Sequence, residues 1–259
     1  MNEPTPDYAA ELFAWGQDVR RLHEEPEELL YAIVNEMGRL GLQPGLGSVV
    51  IRTPHPQIDM LVMRWRPLDT HEVPTTGTTS IRRQYTIKRR DGVLDLYPLA
   101  HGHTDEAMWQ TSPFFRALES GESLRVRLCP PPSPIPFPIV EDLLERGMTD
   151  YVVFPLESGA NVSVVVSIAT LRPDGFPDAF LSAFKRLIPI LSLSVAYKVE
   201  RFQFRQVLSA YIGREPAARV LNGQIRQGDF VKRQAAVGFA DLRGFTAATS
   251  RLETQELLT

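Results

Sequence analysis

The sequence predicts an α+β fold in which helices pack on the faces of an antiparallel sheet. Three observations predict it. Residues 151–157 (YVVFPLE) and 162–171 (VSVVVSIATL) are β-branched runs joined by the turn SGAN, which reads as a hairpin. Strand and helix patterns are interspersed without strict βαβ alternation, which favours antiparallel pairing. Phe180, Phe184, Leu187, Leu191, Val195, Val199 and Phe202 recur at spacings of three and four, the stripe of a long helix.

The elements follow in order. A helix is expected over 27–40, with Pro26 in its first turn and Gly41 ending it. Leu29, Leu30, Ile33, Val34, Met37 and Leu40 fall on one of its faces. Residues 47–52 and 60–66 read as strands, separated by a loop with two prolines at 53–57. The Thr-, Pro- and Gly-rich stretch 67–80 reads as a connection, and 83–89 as another strand. Ser112 and Pro113 look like the N-cap and first residue of a short helix through Phe114, Phe115 and Leu118. Residues 123–128 alternate with period two, as a half-buried strand does. The proline-rich run 129–138 cannot be regular, and 139–146 reads as a short helix ending at Gly147. That makes about six strands and three short helices in the first part.

The long helix begins near residue 179, with Pro189 inside it as an expected kink. Its stripe can pack on its own sheet or on the same helix of a second chain, and a homodimer through the 180–202 helix is expected. Gly213 and Gly223 bound a short helix at 216–222 that reads as a joint. Residues 234–241 (QAAVGFAD) read as the first strand of a second domain, and 246–259 as its helix.

Composition narrows the function. The net charge is −3, from 28 basic and 31 acidic residues, so no nucleic-acid partner is expected. The one basic run, 82–90, reads as a solvated strand face. A single cysteine, Cys129, suggests a reducing cytosol and carries no nucleophile motif. The N-terminus lacks the basic and apolar regions of a signal peptide. The best apolar window, 187–199, is short and carries Ser192, Ser194 and Lys198. The expectation is a cytoplasmic chain with no membrane partner.

His55, His101 and His103 lack metal-ligand spacing and read as ordinary loop histidines. A sensory pocket is expected at His55, Arg64, Trp65, Trp109 and Phe114, with Phe115 and Phe137 as further aromatic candidates. Aromatic residues at such positions can equally be core. Were Arg52, Arg64, Arg66 and His55 to share one cavity, its ligand would be anionic.

Residues 237–246 (VGFADLRGFT) resemble the opening of the catalytic domain of class III adenylate and guanylate cyclases: an apolar strand, then Phe239, Asp241, Leu242, Gly244, Phe245 and Thr246. The preceding YIGREPAARVLNGQIRQGD is similar to the linker of a bacterial subgroup with an N-terminal GAF-like sensory domain. His55-Pro56, TDYVVFPL and RPDGF fit that domain. The resemblance implies a GAF-like antiparallel sheet flanked by helices, a long linker helix, then the first strand–helix unit of a ferredoxin-like cyclase domain. The implied domains are 1–178 (sensory), 179–229 (linker and dimerisation helix) and 230–259 (catalytic fragment).

It further implies ATP converted to cyclic AMP and pyrophosphate, with adenine preferred over guanine on family frequency alone. Mg²⁺ or Mn²⁺ would sit on the Asp241 carboxylate and the Leu242 carbonyl, and the triphosphate on the backbone amides of Gly244, Phe245 and Thr246. By spacing alone Asp241 is an ordinary turn residue. The second metal-binding Asp, the purine-selecting residues and the transition-state Asn and Arg of the family are expected beyond Thr259, so this chain is expected to make no cyclic nucleotide by itself. The alternative is a non-catalytic GAF-like module for small-molecule binding and dimerisation. No bilin-attachment cysteine is recognisable, and the signal sensed is left open.

Overall fold

The computed structural model describes residues 6–18, 26–52, 58–68, 85–102, 107–157 and 163–226, and thereafter 228, 230, 232, 234, 236–239 and 243. The chain divides into two compact units, Met1–Ala218 and Arg219–Thr259.

The first unit is built on one seven-stranded antiparallel sheet. Its strands are β1 (Pro44–Arg52), β2 (Met60–Arg66), β3 (Tyr85–Lys88), β4 (Val93–Leu99), β5 (Leu124–Arg127), β6 (Asp150–Glu157) and β7 (Ser163–Thr170), in the spatial order β3-β4-β2-β1-β7-β6-β5. The hairpin expected from the β-branched runs is present, with Val153 opposite Ser167. Strand β4 was not predicted. Its sequence, VLDLYPL, carries an Asp and a Pro, both poor strand formers.

Helices cover both faces. On one lie α1 (Tyr8–Gly16), α2 (Pro26–Arg39) and α6 (Asp178–Ile212). Helix α1, also unpredicted, starts at Asp7, whose carboxylate accepts from the amides of Ala9 (3.1 Å) and Ala10 (3.2 Å). It packs on α6 through an edge-on Tyr8–Phe180 contact at 5.8 Å. Phe176, Phe180, Phe184 and Phe154 then stack in a chain of ring contacts. Helix α2 lies close against β1 because Gly47 has no side chain. A Cβ there would lie 2.8 Å from Val34 and 3.1 Å from Leu30. On the other face lie α4 (Pro113–Ser120) and α5 (Ile139–Glu145), preceded by the short α3 (Ala107–Gln110). The Ser112 cap forms as its sequence predicts, accepting from the Phe115 amide at 3.1 Å.

Helix α6 lays the described part of its stripe on the chain's own sheet. Phe180, Phe184, Leu187, Leu191 and Val195 are all buried in the chain's own core. Those five residues serve the fold; the side chains of Val199 and Phe202, the last two of the stripe, lie outside the described ones. The window Asp178–Lys198 is long and apolar enough to cross a membrane by length and composition, where the sequence predicted no such window. Half of it is buried inside the fold, as in the core helix of a sheet protein.

Helix α7 (Arg214–Leu221) follows α6. In the second unit, the expected strand at 234–241 is not formed at Gln234 or at 236–239, the described part of it. Val237 and Phe239 are exposed there. A strand needs a neighbour to take its N–H and C=O groups, and no other strand is described in this unit.

Candidate ligand site on the α4 face

Strand parity sorts the side chains of β1, β2, β6 and β7 onto two faces. Val49, Met63, Trp65, Val166 and Phe154 point toward α6. Val50, Val62, Tyr151, Val153 and Val165 point toward α4. In the middle of this second, apolar face runs a polar row. Ser48 on β1 is directly opposite Arg64 on β2 and, on its other side, opposite Ser167 on β7. Ser167 is opposite Val153 on β6, and Tyr151 is two residues along β6 on the same face.

All four polar residues are buried. Ser48, Ser167 and Tyr151 are 0% exposed and Arg64 is 6% exposed. The Ser48 and Ser167 hydroxyls, the Tyr151 hydroxyl and Arg64 Nε complete no hydrogen bond to a protein group. The Tyr151 and Ser167 hydroxyls lie near enough for Ser167 to act on the Tyr151 ionisation, but their geometry is not that of a hydrogen bond. Leaving such a group unsatisfied in a fold costs about 1–3 kcal/mol, and native proteins keep few of them.

The electrostatics are those of a buried, uncompensated cation. Arg64 forms no ion pair among the described residues. Asp95, its direct neighbour across β4, is taken by Arg66 Nε (3.1 Å) and the Thr86 hydroxyl (2.7 Å). Burial pulls the Arg64 pKa below that of a free guanidinium, against the weaker opposing pull of Tyr97, Tyr151 and Asp142. Arg146, near α5, adds a second positive charge nearby, but its Nε donates to Asp142 Oδ1 at 3.1 Å. Burial also pushes the Tyr151 phenol up to about 12, so it is a neutral donor at physiological pH.

Of the predicted pocket residues, the structure brings three to this face: Arg64, Phe114 in its core, and Trp109 packed at its rim. Trp65 is a correction. It lies in the opposite core with α6, because adjacent strand residues alternate between faces. His55 lies outside the described residues, as does His103. The shared cluster of basic residues is also not formed. Arg52 Nε pairs with Asp59 at 3.3 Å and Arg66 with Asp95, leaving Arg64 buried with no carboxylate paired to it among the described residues. Ser48, Ser167 and Tyr151 were missed. Their signal was a serine set among valines in two central strands, where a hydroxyl has no backbone need to meet.

A hollow of about 240 Å³ lies at the β5 edge between Leu124, Arg125, Val152, Leu181 and Lys185. Its arginine is already committed. Arg125 donates to Asp150 Oδ2 at 2.8 Å, to the Phe176 carbonyl at 2.8 Å and to Asp178 Oδ1 at 2.5 Å. These bonds tie β5, β6 and the start of α6 together, and read as structural. Asp241, Leu242, Gly244, Phe245 and Thr246 lie outside the described residues. Among the described residues no three His, Cys, Asp or Glu side chains are grouped to hold a metal.

No family model matches the sequence, and no curated protein matches it. Several solved structures do match. The GAF domain of a two-component sensor histidine kinase from Bacillus halodurans is 12% identical, with 69% of this chain and 98% of that one covered at a TM-score of 0.43. The phycoerythrobilin-bound GAF domain of a cyanobacterial phytochrome is 13% identical, over 76% and 98%, at 0.44. Escherichia coli SdiA is 12% identical, over 83% and 84%, at 0.36. All three TM-scores are below 0.5.

Proposed function

We propose that this chain is a GAF-like sensory module that binds a small molecule on the α4 face of its sheet. The observation that carries this reading is the row Ser48, Arg64, Ser167 and Tyr151, whose buried polar atoms lack protein partners. Nothing in folding alone calls for such a row, because apolar residues would fill the positions at lower free energy. A bound small molecule gives those groups their partners.

We further propose that the module regulates a class III cyclase catalytic domain opening at residues 237–246, which in the full protein converts ATP to cyclic AMP with Mg²⁺ or Mn²⁺. The string VGFADLRGFT supports this part. Asp241 and the Leu242 carbonyl would hold the metal, and the amides of Gly244, Phe245 and Thr246 the phosphates. The signal would travel along α6 in a homodimer. Leu193, Tyr197, Phe204, Val207 and Tyr211 are exposed on that helix at spacings of four, seven, three and four, a heptad seam pointing away from the core.

The test is to express the complete reading frame that contains this segment and to assay it with ATP and Mg²⁺. Cyclic AMP formation that disappears with Asp241→Ala is the expected result. No cyclic nucleotide from ATP or GTP with either metal would overturn the cyclase part. The second reading, a non-catalytic binding and dimerisation module, would then stand.

A further inference from the structure

The polar row also limits what the ligand can be. This inference rests on the sensory reading above and deepens it. We propose that the α4-face site holds the carboxylate of a small monocarboxylic acid, with Arg64 as its counter-charge and the hydroxyls of Tyr151, Ser48 and Ser167 as donors.

The chemistry selects an anion. An arginine has only donors, and a neutral phenol and two serine hydroxyls can each donate as well. Four donor-bearing groups lie along this row, and among the described residues the nearby carboxylates already have partners. Asp95 is held by Arg66 and Thr86, and Asp142 by Arg146. A cation would be repelled by Arg64. Water alone would meet the hydroxyls but leave a buried guanidinium charge without an opposite charge.

The charge count then selects a monoanion. One uncompensated guanidinium balances one negative charge. Arg146 has a buried Nη1 without a partner, but its charge is already set against Asp142. A phosphate dianion would bury a net negative charge. The planar, forked guanidinium also matches the two oxygens of a carboxylate. The row is framed by apolar side chains, Val50, Val62 and Phe114 among them, which suit an apolar body on the acid.

Thermal unfolding of the complete protein, titrated with acetate, butyrate and benzoate at constant ionic strength, tests the proposal. Inorganic phosphate and chloride serve as the comparison anions. At least one carboxylate is expected to raise Tm with saturation, and phosphate and chloride to raise it far less. Arg64→Met is expected to abolish the carboxylate effect while remaining folded. Should that variant fail to fold, Tyr151→Phe keeps the test, with carboxylate affinity expected to fall about tenfold or more through loss of a charge-assisted hydrogen bond.

Equal effects of phosphate and carboxylates, or carboxylate effects unchanged in Tyr151→Phe and Arg64→Met, would overturn the proposal. So would a crystal structure grown in benzoate with only ordered waters on Arg64 Nε. The two readings fail separately. Carboxylate binding with no change in cyclase output would leave the site standing and remove the regulatory reading. Output altered by another ligand, with no carboxylate binding, would do the reverse.

Discussion

Gly175 sits directly against the buried carboxylate of Asp150: a Cβ on Gly175 would lie 2.7 Å from Asp150 Oδ2 and 2.9 Å from Arg127 Nη1. The turn also holds Gly175 at a φ of +71°, where a side chain is strained. The backbone must come this close so that the Phe176 amide can donate to Asp150 at 2.9 Å. Gly175→Ala is therefore expected to destabilise the first unit by about 1–3 kcal/mol, from left-handed strain plus displacement of the ion pair. Urea unfolding measures it. A variant as stable as the parent would show that the turn relaxes freely.

Asp150 itself is fully buried and receives Arg125 through two nitrogens. Removing it takes the buried acceptor from the Phe176 amide and leaves Arg125 only the Phe176 carbonyl and the exposed Asp178. Asp150→Ala should cost about 3–5 kcal/mol, the usual size for breaking one side of a buried pair. Asp178, on the exposed side of the same arginine, is a smaller matter. Its carboxyl is held below its ordinary value by Arg125, so its contribution is present at neutral pH and is lost only as pH falls through that lowered value. Asp178→Asn should flatten that part of the acid limb by lowering stability slightly at pH 7, with no change below the lowered value.

Tyr151 predicts behaviour at the alkaline end. Burial raises its pKa in the fold to about 12, from 10.0. The unfolded chain therefore releases the phenolic proton first, and stability falls as pH rises between about 10 and 12. A two-unit shift corresponds to roughly 2–3 kcal/mol lost across that window. Comparison of unfolding at pH 9 and pH 11.5 should show this fall in the parent and a smaller one in Tyr151→Phe. Identical slopes would mean that the phenol is not desolvated.

Arg64 should trade stability for binding. A buried guanidinium without a carboxylate opposes folding, and replacing such charges by apolar groups is neutral or stabilising by about 1–4 kcal/mol. Without ligand, Arg64→Met is expected to unfold at the same temperature as the parent or above it. A large drop in Tm would mean that Arg64 has a structural partner that outweighs its desolvation.

The seam on α6 makes a separate forecast. Phe204→Glu with Tyr211→Glu should convert a dimer to a monomer in sedimentation equilibrium, because both side chains are exposed in the single chain. Unfolding of the sheet should be unaffected, since neither side chain belongs to the buried set Phe180, Phe184, Leu187, Leu191 and Val195 that packs on it.

Much of the fold was legible because local chemistry agreed with it. The β-branched runs of β6 and β7 and the Ser112 cap behave as their sequences predict. Helix α1 was missed although Asp7 caps it and Tyr8, Leu12 and Trp15 follow at spacings of four and three. Strand β4 was not legible, because Asp95 argues against a buried strand until Arg66 and Thr86 are seen to satisfy it.

The site divides in the same way. Period-two alternation already forbids Arg64 and Trp65 from lining one pocket, so that separation was present in the sequence of β2. Which of them faces a core of α6 and which faces the polar row was not. The sequence alone determined an α+β class, the strand alternation, the helix caps and a long apolar helix, since these depend on residues a few positions apart. Only the tertiary structure decided that Arg52 and Arg66 are neutralised and that Arg64 has no ion pair among the described residues. Pairing of charges depends on which strands become neighbours, and the order β4-β2-β1-β7 sets Ser48 and Ser167 beside Arg64 across more than a hundred residues of chain.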